Sequence, residues 1–290
     1  MPTAYFDTTV YDDIAKSKVT PGDRQAVRRL IARGAIRAYP SVVNVEELLG
    51  QWESDPSAAL QRIEILVDLV GVDNVLKQPR DLLDEAIHAY AEGRTAAPVT
   101  MRRADRDLYF EHLNGLLQGH PDFDVSGVLA DIRKMKDDFK QRMAEARERV
   151  LTELQWASHP IEELTFDAFF NDGAPQWAED FADHLGVVVG NACRTRGLAG
   201  LIDVRTVRIC IGAHMSLVHA QVVGDGEQSR HPRRGDGYDL WHAVSGSVAD
   251  IFVTSDGPLR QQLQRLPVAD FKVVKSLREL LDDPRVARLR

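Results

Sequence analysis

The chain has no uninterrupted apolar run near the roughly 18 residues that a membrane span needs. Its first residues, MPTAYFDTTVYDD, carry neither the basic n-region nor the apolar h-region of a signal peptide. A cytoplasmic protein with no membrane partner is therefore expected. Cysteine is scarce. Cys193 and Cys210 are the only two, each in a helix-like segment and neither at a zinc-ligand spacing, which predicts buried free thiols. Excess basic charge is lacking too, since the formal net charge is −8 at pH 7, and a general attraction to nucleic acid or anionic membrane is excluded. A polyanionic substrate would need a local basic patch, or a metal that cancels carboxylates. No repeat of fixed period and no low-complexity tract occurs.

What is present is an ordinary soluble balance, 44% hydrophobic and 28% charged over 290 residues, enough for one large domain or two ordinary ones. The segment "TAYF" reads as a short buried strand that runs into Asp7. "TPGDRQAVRRLIARG" places Thr20 as N-cap, Pro21 at the first helical position and Gly34 past the end, which predicts the first helix. A strand from Ala35 to Tyr39, broken by Pro40, precedes a helix capped by Ser41. Strand alternating with helix predicts a mostly parallel sheet covered by helices.

Helical patterns then dominate from residue 56 to residue 202, beginning with Asp55 as cap and Pro56 at the first helical position. The mixed charge of the long helix Ser126–Gln155 reads as a solvated face. From Asp203 the α/β pattern returns, with "ADIFVTSD" a strand ending at Asp256 and "FKVV" a further strand. The expected organisation is an α/β core formed by residues 1–55 and 203–290, with an all-helical insertion, residues 56–202, between its parts.

Ligands of such sheets sit outside the carboxyl ends of the strands, where strand order reverses. Asp7 and Asp256 occupy two such ends. Asp236 and Asp239 share one face at the start of the helix "GYDLWHAVSGSVA". Glu46 and Glu47 lie on the helix after the second strand. Carboxylates gathered without cations repel one another and take up protons unless a metal ion lies between them, and oxygen ligands in an open cluster suit Mg²⁺ or Mn²⁺.

The stretches "YFDTTVYDDI", "PSVVNVEELL", "GDGYDLWHAV" and "DIFVTSD" resemble, in order, the four acidic motifs of PIN-like nucleases. The resemblance implies a PIN-like parallel sheet flanked by helices, and it implies Asp7, Glu47, Asp239 and Asp256 as metal-binding, catalytic acids. Asp236 fits an additional metal-binding acid of some members, and Thr254 or Ser255 fits the hydroxyl that often precedes the last aspartate, both being expected to bind substrate. The activity implied is metal-dependent hydrolysis of a phosphodiester, with a ribonuclease on single-stranded or structured RNA the expected form, toxin-like or RNA-processing. RNA is then the expected partner, an antitoxin or other protein a further one, and a homodimer is suggested because small PIN-like proteins often pair.

Other readings stay open. Arg230, His231, Arg233 and Arg234 stand just before the acidic helix, either to hold flanking phosphates or as a solvated basic loop. Asp236 serves equally well as a helix N-cap. His242 reads as a packed core histidine, Asp250 as the start of a strand, and Glu46, Asp12 and Asp13 as surface residues. Asp7 and Asp256 gain little structurally from ending apolar strands, which points them to function. A PIN-like scaffold that binds RNA or protein without catalysis is one alternative. A haloacid-dehalogenase-like phosphatase is another, although "FDTTV" has Thr9 where its DxDx[TV] motif needs a second acid.

Overall fold

A computed structural model describes residues 1–95, 98–118, 125–156, 164–223 and 236–289. Four short strands, β1 (Thr3–Phe6), β2 (Arg37–Tyr39), β3 (Ile251–Val253) and β4 (Lys272–Val274), form an all-parallel sheet in the order β2-β1-β3-β4. The chain crosses from β1 outward to β2 and later returns to the other side of β1 with β3. The strand order therefore reverses between β1 and β3, where a ligand crevice is expected.

Side chains of a strand alternate between its faces, and both faces here are buried. Ala4, Phe6, Ala38, Ile251, Val253 and Val274 enter one core, while Tyr5, Tyr39, Phe252 and Val273 enter the other. The first face is covered by α1 (Thr8–Ala15), α2 (Pro21–Ala32), α3 (Val42–Leu49), α4 (Pro56–Val70) and α14 (Leu277–Asp282). The second is covered by α5 (Pro79–Ala91), α8 (Phe166–His184), α11 (Arg205–Val223), α12 (Asp236–Gly246) and α13 (Gly257–Gln264). The remaining helices are α6 (Arg103–Leu117), α9 (Val187–Arg196), α10 (Leu198–Ile202), α15 (Pro284–Ala287) and the long α7 (Val125–Trp156), which packs against α3, α11 and α12. Residues 56–202 are helical apart from turns and isolated bridges among the described residues, and Ile63, Leu66 and Leu69 of α4 share the core of Phe6 and Val253.

Local chemistry accounts for the helix starts. Thr20 and Asp55 accept the N–H groups of Asp23 and Ala58, each ahead of a proline in the first turn, and Ser41 forms a reciprocal capping box with Asn44. One helix lies where the sequence reading placed none. The segment "TTVYDDIA" forms α1 directly after β1, and its N-cap is Asp7 itself. Asp250 stands one residue before β3 instead of beginning it, and its carboxylate accepts the Thr3 amide at 2.8 Å and the Thr3 hydroxyl at 2.9 Å. The two distant parts of the α/β layer are thereby pinned together. Both cysteines are buried and free, and burial pushes the Cys210 thiol up to about 12.

Gly246 ends α12 where the helix backbone crosses the sheet. A Cβ there would overlap the Phe252 ring and come within 3.2 Å of Tyr5 Cδ1. Gly246→Ala is expected to destabilise by about 1–3 kcal/mol through overpacking, a fall in Tm of roughly 2–10 °C. Thermal unfolding followed by circular dichroism checks this, and an unchanged Tm would show that the ring has room to move.

Candidate metal centre

Asp7 follows β1 at the point where strand order reverses, and it is almost fully buried, at 3% exposure. Its Oδ1 accepts the Thr8 amide at 2.8 Å, and its Oδ2 accepts the hydroxyls of Thr9 and Thr254, each at 2.7 Å. These donors fix the carboxylate and leave one side of Oδ1 facing His242, whose Nε2 lies 3.5 Å away. Burial pushes the Asp7 carboxyl up, and the charge of Glu47 adds to this against the pull of His242.

Glu47 reaches the same point from α3, the helix after β2. Its Oε2 lies 2.8 Å from His242 Nε2 and also accepts the Thr8 hydroxyl. His242 comes from α12 and is 1% exposed, with Nδ1 2.6 Å from the Tyr5 hydroxyl. Burial would lower the imidazole, but Asp7 and Glu47 together hold it above its usual range. Burial would likewise raise Glu47, yet the hydrogen bond from His242 holds it low, so the half-buried Glu47 pairs with the buried His242. Asp7, Glu47 and His242 each offer a ligand atom, all within 4.8 Å of one another, and theirs is the one such cluster among the described residues.

Asp239 stands one turn before His242 on α12. Its carboxyl is held well above the usual range, first by burial and then by the negative charges of Asp7, Asp256 and Glu47. Asp256 is N-cap of α13 and accepts the Leu259 amide at 2.7 Å, with its own amide donating to Thr254. The four expected acids, from the ends of β1 and β3 and from helices α3 and α12, thus come close enough for three of them to act on the charge of Asp239.

Several expectations need correction. Asp7 and Asp256 do have a structural return, since both cap helices that begin where their strands end. Thr254 is fully buried with its hydroxyl committed to Asp7, so it supports the acid and is closed to substrate, whereas Ser255 is exposed. Asp236 is the first residue of α12, half-buried and outside the cluster of close donors. Glu46 is also half-buried, and burial raises its carboxyl despite a hydrogen bond from Gln78. Asp12 and Asp13 are half-buried as well, Asp12 paired with Arg62 and Lys16, and Asp13 with Lys18. Arg230, His231, Arg233 and Arg234 lie outside the described residues.

Two residues not expected among the acids bear on them. His242 is buried, as a core histidine would be, but it also bridges the acids; its place three residues after Asp239, on the same helix face, was the available signal. Lys136, on the supposedly solvated face of α7, sits 5.0 Å from the Tyr238 ring centroid, and its charge helps hold Glu47 low.

The donor chemistry fits a divalent ion. Two ligands at right angles about an ion, each near 2.1 Å, stand about 3.0 Å apart, and the gaps from His242 Nε2 to the two carboxylates, 2.8 and 3.5 Å, bracket that value. A cation among these groups would reverse the repulsion that adds to burial in raising Asp239. Among the described residues no helix is long and apolar enough to cross a membrane. Comparison with family models, with curated proteins and with solved structures finds no match to this chain.

Proposed function

We propose that the protein is a PIN-like, divalent-metal-dependent nuclease that hydrolyses phosphodiester bonds, with RNA its expected substrate. The observation that carries this reading is the convergence of the Asp7, Glu47 and His242 donors within 4.8 Å at the strand-order reversal, with Asp239 and Asp256 beside them. Asp7, Glu47 and His242 would hold the ion, and Asp239 and Asp256 would bind a second one or orient water. Bound there, Mg²⁺ or Mn²⁺ supplies Lewis acidity and charge neutralisation toward a phosphodiester.

The chain's own residues do the rest. Thr8, Thr9 and Thr254 keep Asp7 from turning, so its charge stays aimed at one point in the crevice. The half-buried Glu47, Asp239 and Asp256 form the solvent side, where a phosphate enters. We assign the phosphate's cation to Lys136, whose charge reaches Glu47.

Lys136→Met is expected to raise KM for a short RNA about tenfold, the equivalent of 1.4 kcal/mol, with a smaller change in kcat. Steady-state kinetics at low salt measure both constants, and an unchanged KM would remove Lys136 from substrate binding.

A second reading, a PIN-like scaffold without catalysis, draws support from His242, which balances Asp7 and Glu47 with the chain's own charge. Cleavage of single-stranded RNA and DNA with added Mg²⁺ or Mn²⁺, by wild type and Asp7→Asn, separates the readings. Loss of cleavage in the variant supports the nuclease, and tight RNA binding without cleavage in either protein supports the scaffold.

A further inference from the structure

The direction of every hydrogen bond behind His242 can be read from the backbone outward. The Phe6 carbonyl can only accept and lies 2.9 Å from Asn44 Nδ2, while the Ser41 amide can only donate and lies 3.1 Å from Asn44 Oδ1. These two groups fix which end of the Asn44 side chain is oxygen. Asn44 Oδ1 then accepts the Ser41 hydroxyl at 3.0 Å, which uses the one hydrogen that Ser41 Oγ has. Ser41 Oγ therefore accepts from the Tyr5 hydroxyl, 2.9 Å away. Tyr5 in turn has no hydrogen left for His242, so the 2.6 Å contact must be Nδ1–H donating to Tyr5 oxygen.

Building on the metal-centre reading above, we infer that the Asn44–Ser41–Tyr5 chain keeps the His242 Nδ1–H turned to Tyr5, so that a metal ion displaces the hydrogen between Nε2 and Glu47 and gains Nε2 as a nitrogen ligand that selects a transition ion such as Mn²⁺ over Mg²⁺. Tyr5, Ser41 and Asn44 are positioning residues. A ligating histidine commonly has its orientation and tautomer fixed through its other nitrogen. Tyr5 is well suited to do so, since its ring is fully buried against Phe252 at a 5.3 Å centroid distance. Carboxylates alone suit Mg²⁺, whereas an imidazole shifts a site toward first-row transition metals. The discrimination would arise from one nitrogen among oxygens.

The test is metal binding to the full chain. Calorimetric titration with Mn²⁺ and with Mg²⁺ should give a clear Mn²⁺ preference in wild type, and pulsed electron paramagnetic resonance of the Mn²⁺ form should show nitrogen coupling. His242→Asn should abolish the coupling and bring the two affinities together. Tyr5→Phe keeps the ring and serves where His242→Asn fails to fold; it should weaken Mn²⁺ binding about 10–100-fold and leave Mg²⁺ binding nearly unchanged. Equal affinities for the two ions in wild type, no nitrogen coupling, or no metal binding would each overturn the inference. A protein that binds Mn²⁺ through nitrogen but cleaves no nucleic acid would sink the nuclease reading and leave this inference standing.

Discussion

Asp7→Asn is expected to lower metal-dependent cleavage of single-stranded RNA by about three orders of magnitude, the scale seen when a group that stabilises developing charge is removed. The variant should still fold. Asparagine is as good an N-cap as aspartate, so the Thr8 amide keeps its acceptor at the start of α1. The hydroxyls of Thr9 and Thr254, which now donate to Oδ2, can turn to accept from the amide nitrogen. Burial works against the Asp7 charge, so exchanging it for a neutral group adds no desolvation cost. What disappears is the negative charge at the point where β1, α3 and α12 converge.

Gel-based cleavage with Mn²⁺ or Mg²⁺, with an EDTA control and a melting curve for both proteins, makes the comparison. Equal cleavage by wild type and variant, unaffected by EDTA, would mean that the acids do not cut nucleic acid. Release of orthophosphate from a phosphomonoester, lost in the variant, would instead indicate the phosphatase.

Much of this crevice was legible in the residues because its supports are local. Helices α2, α3 and α4 announce themselves by Thr20, Ser41 and Asp55, and an apolar segment that stops at an acid marks the ends of β1 and β3. Helix α1 escaped notice because "TTVYDDIA" is rich in β-branched residues, which are weak helix formers. It forms where Asp7 caps it and Val10, Tyr11 and Ile14 reach the core. The role of His242 had little local trace, for its partners Tyr5 and Glu47 lie 237 and 195 residues away in sequence. Lys136 carries the same lesson. A lysine on a helix with charges all along it looks solvated until tertiary packing turns one of those charges toward Glu47.

Asp239→Asn is expected to separate function from stability. Metal-dependent cleavage should fall about 100-fold, the lower end of what removing one electrostatic stabiliser costs, while the metal-free protein becomes more stable. The sign follows from the raised carboxyl: in the folded state Asp239 binds its proton more tightly than in the unfolded chain. Wild type therefore loses stability as pH rises from about 4, the unfolded carboxyl value, through the raised folded value. Asparagine does not titrate, so the two proteins should melt alike below that window, and the variant should melt higher at neutral pH. A gain of about 1 kcal/mol corresponds to a rise of roughly 2–4 °C. Saturating Mn²⁺ should reverse the order, because a ligand at 100 times its Kd adds about 2.7 kcal/mol to the protein that binds it, and the variant has lost one of the acids that draw it. Melting curves at pH 4 and pH 7.5, with EDTA and with Mn²⁺, contain the whole comparison. A variant that melts lower than wild type in EDTA at pH 7.5 would mean that Asp239 is held by favourable partners, not strained by Asp7, Asp256 and Glu47.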